Sequence, residues 1–419
     1  MNQIGQVVDQ GNEQAPAGEL TFKTMINEPA KHLFHFMVLD ETHAVIFGSI
    51  GTGKTTLIKN ALMNIPSDYA VVVFDITGSY EGYTDYHAPY PLNPLNFINE
   101  HRALNVIEEV ERIAYPNYPY VMTPAMAYMF TKAYAELTRA GNQASVGDII
   151  KYLNDAVESG AIAREDEVNS ARGLLRRLHD IDHWIFRQTH PLINRLLNGE
   201  LRGKSIGIDL SWLEPTQRWF YVLSFLAAVS AVNTRNVIIV VDEAHLYFRL
   251  GESTLTTSIR VGRNYNRYFA LITQSIFDIP REFISMNKLF IEFPTMFYTP
   301  ENLIFREVGF KAYFGRNEFY GSGKDVGGLM PPHWASPLTA LMHLHVTSRQ
   351  LLEMTAEKRP YYELRVEVDP TTPPKPLSTT LRQCAEAYGV GLEDIRRFGF
   401  SNAKIQDKLV GVWECIGTP

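Results

Sequence analysis

Cysteine is nearly absent from this chain: Cys384 and Cys415 are the only two in 419 residues. Two thiols exclude a disulfide framework and a four-cysteine zinc site. Lying 31 positions apart near the C-terminus, they are expected to be reduced, structural residues of a cytosolic protein. Long hydrophobic runs are missing too. The longest, Trp219–Val232, has 14 residues and two serines, too short to span a bilayer and suited to a buried helix. The first twenty residues are polar, with no basic stretch leading into an apolar one, so no signal peptide is expected. Basic residues are in slight deficit. With 39 Lys+Arg against 46 Asp+Glu the net charge is −7, which excludes a coat that grips nucleic acid with its whole surface. It leaves room for a local basic groove or ring lining. No internal repeat is visible. The expectation is a soluble, cytoplasmic protein without a membrane span.

What is there reads as globular. Apolar residues make up 45% and charged residues 20%, which rules out wholesale disorder, and the length allows two to three domains. Residues 1–35 are expected to form an N-terminal arm. Continuous apolar runs at His43–Phe47, Ala70–Phe74 and Val237–Val241, separated by helical patterns, predict an α/β core with a mostly parallel sheet covered on both faces. Further strands are expected at Lys288–Phe293, Leu341–Val346 and Tyr361–Val368. The core is assigned to 36–97 and 203–368. Between its halves, 98–202 shows apolar residues at three- and four-residue spacing and no strand-like alternation, which predicts an inserted all-helical subdomain. The proline-rich stretch 369–380 predicts a stiff linker, and 381–419 a small helical C-terminal segment.

The chemistry starts at Gly48-Ser49-Ile50-Gly51-Thr52-Gly53-Lys54-Thr55, which fits G-x-x-x-x-G-K-[ST] between a strand and a helix. The glycines let backbone N–H groups turn toward phosphate oxygens, and the helix N-terminus adds partial positive charge. Lys54 can reach the β- and γ-phosphates, and the Thr55 hydroxyl can ligate Mg2+; Thr56 completes the candidate nucleotide-binding stretch. The second element is Asp242-Glu243 at the end of the apolar run VIIVV. Carboxylates at the C-terminal edge of a buried strand sit where ligands bind in open α/β sheets. There Asp242 would hold Mg2+ and Glu243 would orient or deprotonate the attacking water, although a surface acidic pair is the bland alternative. The third is Gln274, 32 residues after Asp242, either a γ-phosphate sensor or a strand-end cap. Arg260 and Arg263, near the end of an intervening helix, can serve a neighbouring subunit's nucleotide or act as ordinary helix C-terminal cations.

This ordered set resembles the HerA/FtsK superfamily of RecA-like motor ATPases, especially HerA-type translocases and conjugative ATPases, over roughly residues 40–350. The carrying segments are THAVIFGSIGTGKTT, FDITGSY, the Asn93-Pro94-Leu95 turn, SIGIDLSWLEPTQRWF, VVDEAH and GRNYNRYFALITQS. Ser79 stands where many members have Glu, and Asn264 where a basic residue often follows the Gly-Arg pair. The resemblance implies a RecA-like P-loop core, ATP and Mg2+ as cofactors, a homo-oligomeric ring (a hexamer), and double-stranded DNA as the translocated partner. A capsid, relaxase, nuclease or secretion component is a further implied partner. With about 40 residues before the core and no transmembrane anchor, a shortened member encoded by a prokaryotic mobile element or virus is expected. A motor for protein secretion or pilus assembly, and an NTP-dependent DNA-binding module, are the alternatives.

Leu381–Phe398 has helix-turn-helix spacing through Ala385, Gly389 and Ile395, with Arg396 and Arg397 available for phosphates. Its second helix opens Glu393-Asp394, and 381–419 carries five Lys/Arg and five Asp/Glu, so a docking module is an equal reading. His179/His183 and His343/His345 lack an evident third metal ligand. The tyrosines Tyr80, Tyr83, Tyr86 and Tyr90 can stack on bases or pack a loop.

Overall fold

The computed structural model describes residues 20–117, 122–139, 141, 143–248, 253–294, 338–355 and 360–418. Most of the expected N-terminal arm lies outside them. Ten strands form one sheet: β1 (Ala44–Phe47), β2 (Ala70–Asp75), β3 (Tyr86–Ala88), β4 (Ser205–Asp209), β5 (Val237–Val241), β6 (Arg267–Thr273), β7 (Leu289–Glu292), β8 (Thr339–His345), β9 (Tyr361–Glu367) and β10 (Thr379–Thr380). Their spatial order is β10-β3-β4-β2-β5-β6-β1-β7-β8-β9. Among the described residues only the β7–β8 and β8–β9 pairings are antiparallel. This is the expected α/β architecture.

The apolar runs are continuous because both faces of the sheet are buried. Val45, Phe47, Val72, Phe74, Ile239, Val241 and Leu271 point into one hydrophobic cluster. Their alternates Ala44, Ile46, Val71, Val73, Ile238, Val240 and Ile272 point into the other. Covering the second face are α1 (Phe22–Asn27), α2 (Leu33–Leu39) and α3 (Lys54–Leu62). On the first lie the helices of the expected insertion: α4 (Glu100–Ala114), α5 (Pro124–Thr138), α6 (Val146–Glu158), α7 (Glu165–His179) and α8 (Pro191–Leu197). They share that cluster with α9 (Pro215–Ala231) and α10 (Thr254–Gly262). Side-chain caps start several of them: Asn99 for α4, Thr123 for α5, and Ser145, in a capping box with Asp148, for α6. The elements from Glu100 to Leu197 are all helical among the described residues, and their core runs without a break into that of the sheet.

The short helices α11 (Arg281–Met286) and α12 (Arg349–Met354) flank the antiparallel edge, and α13 (Leu381–Tyr388), α14 (Leu392–Phe398) and α15 (Gln406–Cys415) close the chain. The proline-rich stretch, expected as a stiff linker, is tied to the core. The Asn60 side chain accepts from Asp369 N (2.9 Å) and donates to Thr372 Oγ1 (2.7 Å). Lys375 donates its amide to Gly82 O and pairs with Asp85 at 2.9 Å, and β10 then extends the sheet. Prolines removed backbone donors; of those that remain, Asp369 N, Lys375 N and Thr379 N donate to the core, while Thr371 N and Thr372 N turn back onto Asp369.

The cysteines are not reduced. Cys384 on α13 and Cys415 on α15 form a disulfide, with Cα atoms 5.8 Å apart. Two cysteines cannot make a framework, but one bridge needs only a pair, and the packing of α13 on α15 closes the 31-residue gap. The cytosolic expectation therefore loses the support it drew from them. No described helix is long and apolar enough to cross a membrane.

Candidate nucleotide site

Parallel register assembles the site. Phe47 of β1 lies level with Thr273 of β6, so the loop starting at Gly48 leaves the sheet beside Gln274. Val241 of β5 lies level with Leu271, which carries Asp242 and Glu243 to the same C-terminal edge. Loop residues there end on α3, whose N-terminus starts at Lys54. Gly48 has φ +151°, and a Cβ on it would stand 2.5 Å from Phe293 Cβ. Gly53, at φ +117°, would push a Cβ against Val368, Leu338 and Phe293 at 3.1–3.2 Å. Only glycine fits both positions. Thr52 Oγ1 ties the turn by donating to Ser49 O (2.8 Å), while Ile50 at its tip is 80% exposed.

Lys54 Nζ folds over this turn and donates to Gly48 O (2.6 Å) and Ser49 O (2.8 Å). Burial lowers its pKa from the ordinary value, opposed by the charges of Glu243 and Asp242. The two carboxylates are therefore close enough for Lys54 to sense them. Asp242 accepts from Glu243 N at 2.9 Å, and burial raises its pKa to about 6, with Glu243 and Asp75 adding to the rise. Glu243 adopts φ +51°, ψ +45°, a left-handed conformation uncommon for a non-glycine residue. Its Oε2 accepts from Gln274 Nε2 at 3.3 Å and lies 3.2 Å from His245 Nδ1.

One residue that the sequence placed at the end of FDITGSY and in a tyrosine-rich loop, without a role at the site, belongs here. Tyr80 is fully buried, and its hydroxyl donates to Asp242 Oδ2 at 3.4 Å with the Thr55 side chain beside it. Burial raises the phenol's pKa well above its usual value, so it stays a donor. Asp75, at the tip of β2, fixes this tyrosine by accepting from Tyr80 N (2.8 Å) and Ser79 N (3.0 Å). Burial pushes the Asp75 carboxyl up, but the His87 partner at 2.9 Å and these amides outweigh it and hold the carboxyl below its ordinary value. His87 gave no signal in the sequence, because it meets Asp75 only through the β3–β4–β2 stacking. Tyr86 and Tyr90 are buried packing residues, and Tyr83 lies under Lys59 Nζ at 4.3 Å.

The structure does not bring Arg260 or Arg263 to this cluster. Arg260 pairs with Glu282 at 2.9 Å, and Arg263 donates to Met286 O at 2.6 Å. Arg263 also lowers the pKa of His43, after burial, which puts it beside the residue just before β1, at the opposite edge of the sheet.

The converging groups suit nucleotide phosphates and a divalent cation. Mg2+ is commonly held by one or two carboxylates together with substrate phosphates. Thr55 and Asp242, linked through Tyr80, are such a partial donor set, and no cluster of three or more His, Cys, Asp or Glu ligands occurs among the described residues.

Residues 35–229 match the family model described as "Helicase HerA, central domain". Over these residues the chain is similar to the HerA central domain. This is what the ordered motifs anticipated, and the HerA model covers the phosphate loop, Tyr80 and the insertion but stops before Asp242. No curated protein matches the chain. Among solved structures, VirB4 of Thermoanaerobacter pseudethanolicus is 15% identical, with 79% of this chain and 90% of that one covered at a TM-score of 0.49. The bacterial conjugative coupling protein TrwBΔN70 is 14% identical over 81% and 88%, with a TM-score of 0.49. The genome packaging NTPase B204 from Sulfolobus turreted icosahedral virus 2, in complex with AMPPCP, is 10% identical over 78% and 97%, with a TM-score of 0.33.

Proposed function

We propose that the HerA-type core hydrolyses ATP as a ring-forming motor and moves double-stranded DNA. The observation that carries the hydrolytic half is the meeting of Lys54, Thr55, Asp242, Glu243 and Gln274 at one sheet edge. The loop amides of 48–54 and the Lys54 ammonium bind the phosphates, while Thr55 and Asp242 hold Mg2+. When bound, Mg2+ neutralises charge on the β- and γ-phosphates. Tyr80 orients Asp242 by donating to one of its oxygens. Glu243 accepts the proton of a water whose oxygen attacks the γ-phosphorus; the bond to the β–γ bridging oxygen breaks, and its electron pair leaves with ADP. Gln274, bonded to Glu243, aligns that carboxylate and reports the state of the γ-phosphate. A water-activating Glu next to the metal-binding Asp favours hydrolysis over transfer to a bound hydroxyl.

DNA as the moved partner rests on the HerA family match. A homo-oligomeric ring, with Arg260 or Arg263 reaching a neighbour's nucleotide, fits arginines that lie away from their own subunit's site. The test is steady-state ATP turnover with and without double-stranded DNA. Stimulation is expected, and turnover indifferent to every DNA form would remove the translocase reading and leave a secretion-type motor. Lys54→Ala is expected to keep the fold, read by circular dichroism, and lose turnover.

A further inference from the structure

Helix α4 buries two glutamates with different duties. Glu109 accepts from Thr254 N (3.0 Å) and Thr254 Oγ1 (2.7 Å), anchoring the start of α10. Glu111, 8% exposed, turns the other way and places Oε1 3.3 Å from Arg177 Nε on α7. Its second oxygen, Oε2, is buried with no hydrogen-bond partner among the described residues. A buried acceptor left so carries a desolvation cost unless something donates to it.

That glutamate lines a cavity of about 520 Å3 between α4, α5, α7 and the first turn of α9. The volume is within the range of small-molecule sites. Ile107, Val110, Met126 and Ile181 supply apolar wall, and Thr216 stands at the α9 side. Four charges line it: Glu111 and Asp180 against Arg176 and Arg177. They cancel, so the cavity favours neither a cation nor an anion overall.

The geometry points to a binding site in the helical insertion for an uncharged, largely apolar small molecule carrying one O–H or N–H donor, which bonds to Glu111 Oε2. Its body lies against the aliphatic wall, and its donor satisfies Glu111 Oε2, an acceptor without a partner among the described residues. The site is separate from the phosphate loop. It joins insertion helices to α9, so an occupant would bridge insertion and core.

Two probes of the same shape test this. 2-Naphthol donates one hydrogen bond, and 2-methoxynaphthalene does not. Burial raises the pKa of Glu111 to about 7, offset by Arg177 and reinforced by Glu108 and Asp180, so titrations run at pH 8, where it is ionised. Isothermal titration calorimetry on the full chain should show one site for 2-naphthol, with 2-methoxynaphthalene about tenfold weaker or worse. Thr216→Trp, at a half-buried position on the wall, should block both probes without a change in thermal midpoint, whereas Lys54→Ala should leave both unaffected. No heat from 2-naphthol, equal affinities for the two probes, or undiminished binding to folded Thr216→Trp protein would each overturn the proposal. The probe comparison needs no variant, so a folding failure cannot obscure the outcome.

Discussion

Asp242 shows how burial and function pull on one side chain. Its carboxyl is pushed from 3.8 up to about 6 because the strand end that positions it also removes it from water. Between these values the folded chain binds more proton than the unfolded one, so ionising Asp242 costs stability as pH rises through that window, in full above about 6. Metal binding runs the other way, since Mg2+ requires the ionised form. Affinity for Mg2+–nucleotide, measured with a fluorescent analogue, should therefore fall as pH drops from 7 to 5, while Mg2+-free binding changes less. Tyr80→Phe removes the donor to Asp242 while keeping the ring, and should weaken Mg2+-dependent affinity by about three- to tenfold, in line with the net worth of about 0.5–1.5 kcal/mol for one ordinary hydrogen bond. Unchanged Mg2+ dependence would reduce Tyr80 to a packing residue. Glu243→Gln should bind nucleotide normally and hydrolyse it at least about a hundredfold more slowly, as expected when a water-activating base is lost.

Elements were legible to different degrees. The phosphate loop and its strand could be read locally because glycine spacing and a buried apolar run are properties of neighbours in sequence. Strand β3 could not, since Tyr86–Ala88 is a three-residue piece whose pairing with β4 and β10 alone makes it a strand. The disulfide was missed for the same reason: only the packing of α13 on α15 brings its partners together. Closing a 31-residue loop restricts the unfolded segment and is worth about 3–4 kcal/mol in the chain-entropy model. Cys384→Ser should therefore speed proteolysis within 381–418 under limiting protease, with cleavage in α3 unchanged. Equal cleavage patterns would mean that the docking bonds alone hold the segment, such as Tyr90 Oη to Ile416 O (2.8 Å) and Trp184 Nε1 to Arg396 O (3.1 Å). Those bonds dock α13–α15 on the insertion and the core through backbone carbonyls, while the Arg396 and Arg397 side chains stay exposed.

At the scale of the whole molecule, one hydrophobic cluster joins a sheet face, the helical insertion and the C-terminal helices. In the proposed motor, force produced at the sheet edge would have a continuous route into the insertion through α9 and through Glu109, which grips the start of α10. Glu109→Gln replaces the carboxylate at that grip. If α10 carries the arginine that serves a neighbour, the variant should lower turnover more than nucleotide affinity, an effect measurable by comparing kcat with the dissociation constant of the analogue. A matched loss in both would mean that Glu109 supports only the fold.

The sequence alone determined the phosphate loop, the acidic pair, the parallel sheet and the helical insertion, because each depends on spacing between near neighbours. Tertiary structure decided the rest. It chose Tyr80 from four tyrosines as the partner of Asp242, set His87 on Asp75, drew two distant cysteines together and kept Arg260 and Arg263 from their own subunit's site. Each of these depends on which strands and helices become neighbours, and that choice is made by burying both faces of one sheet at once.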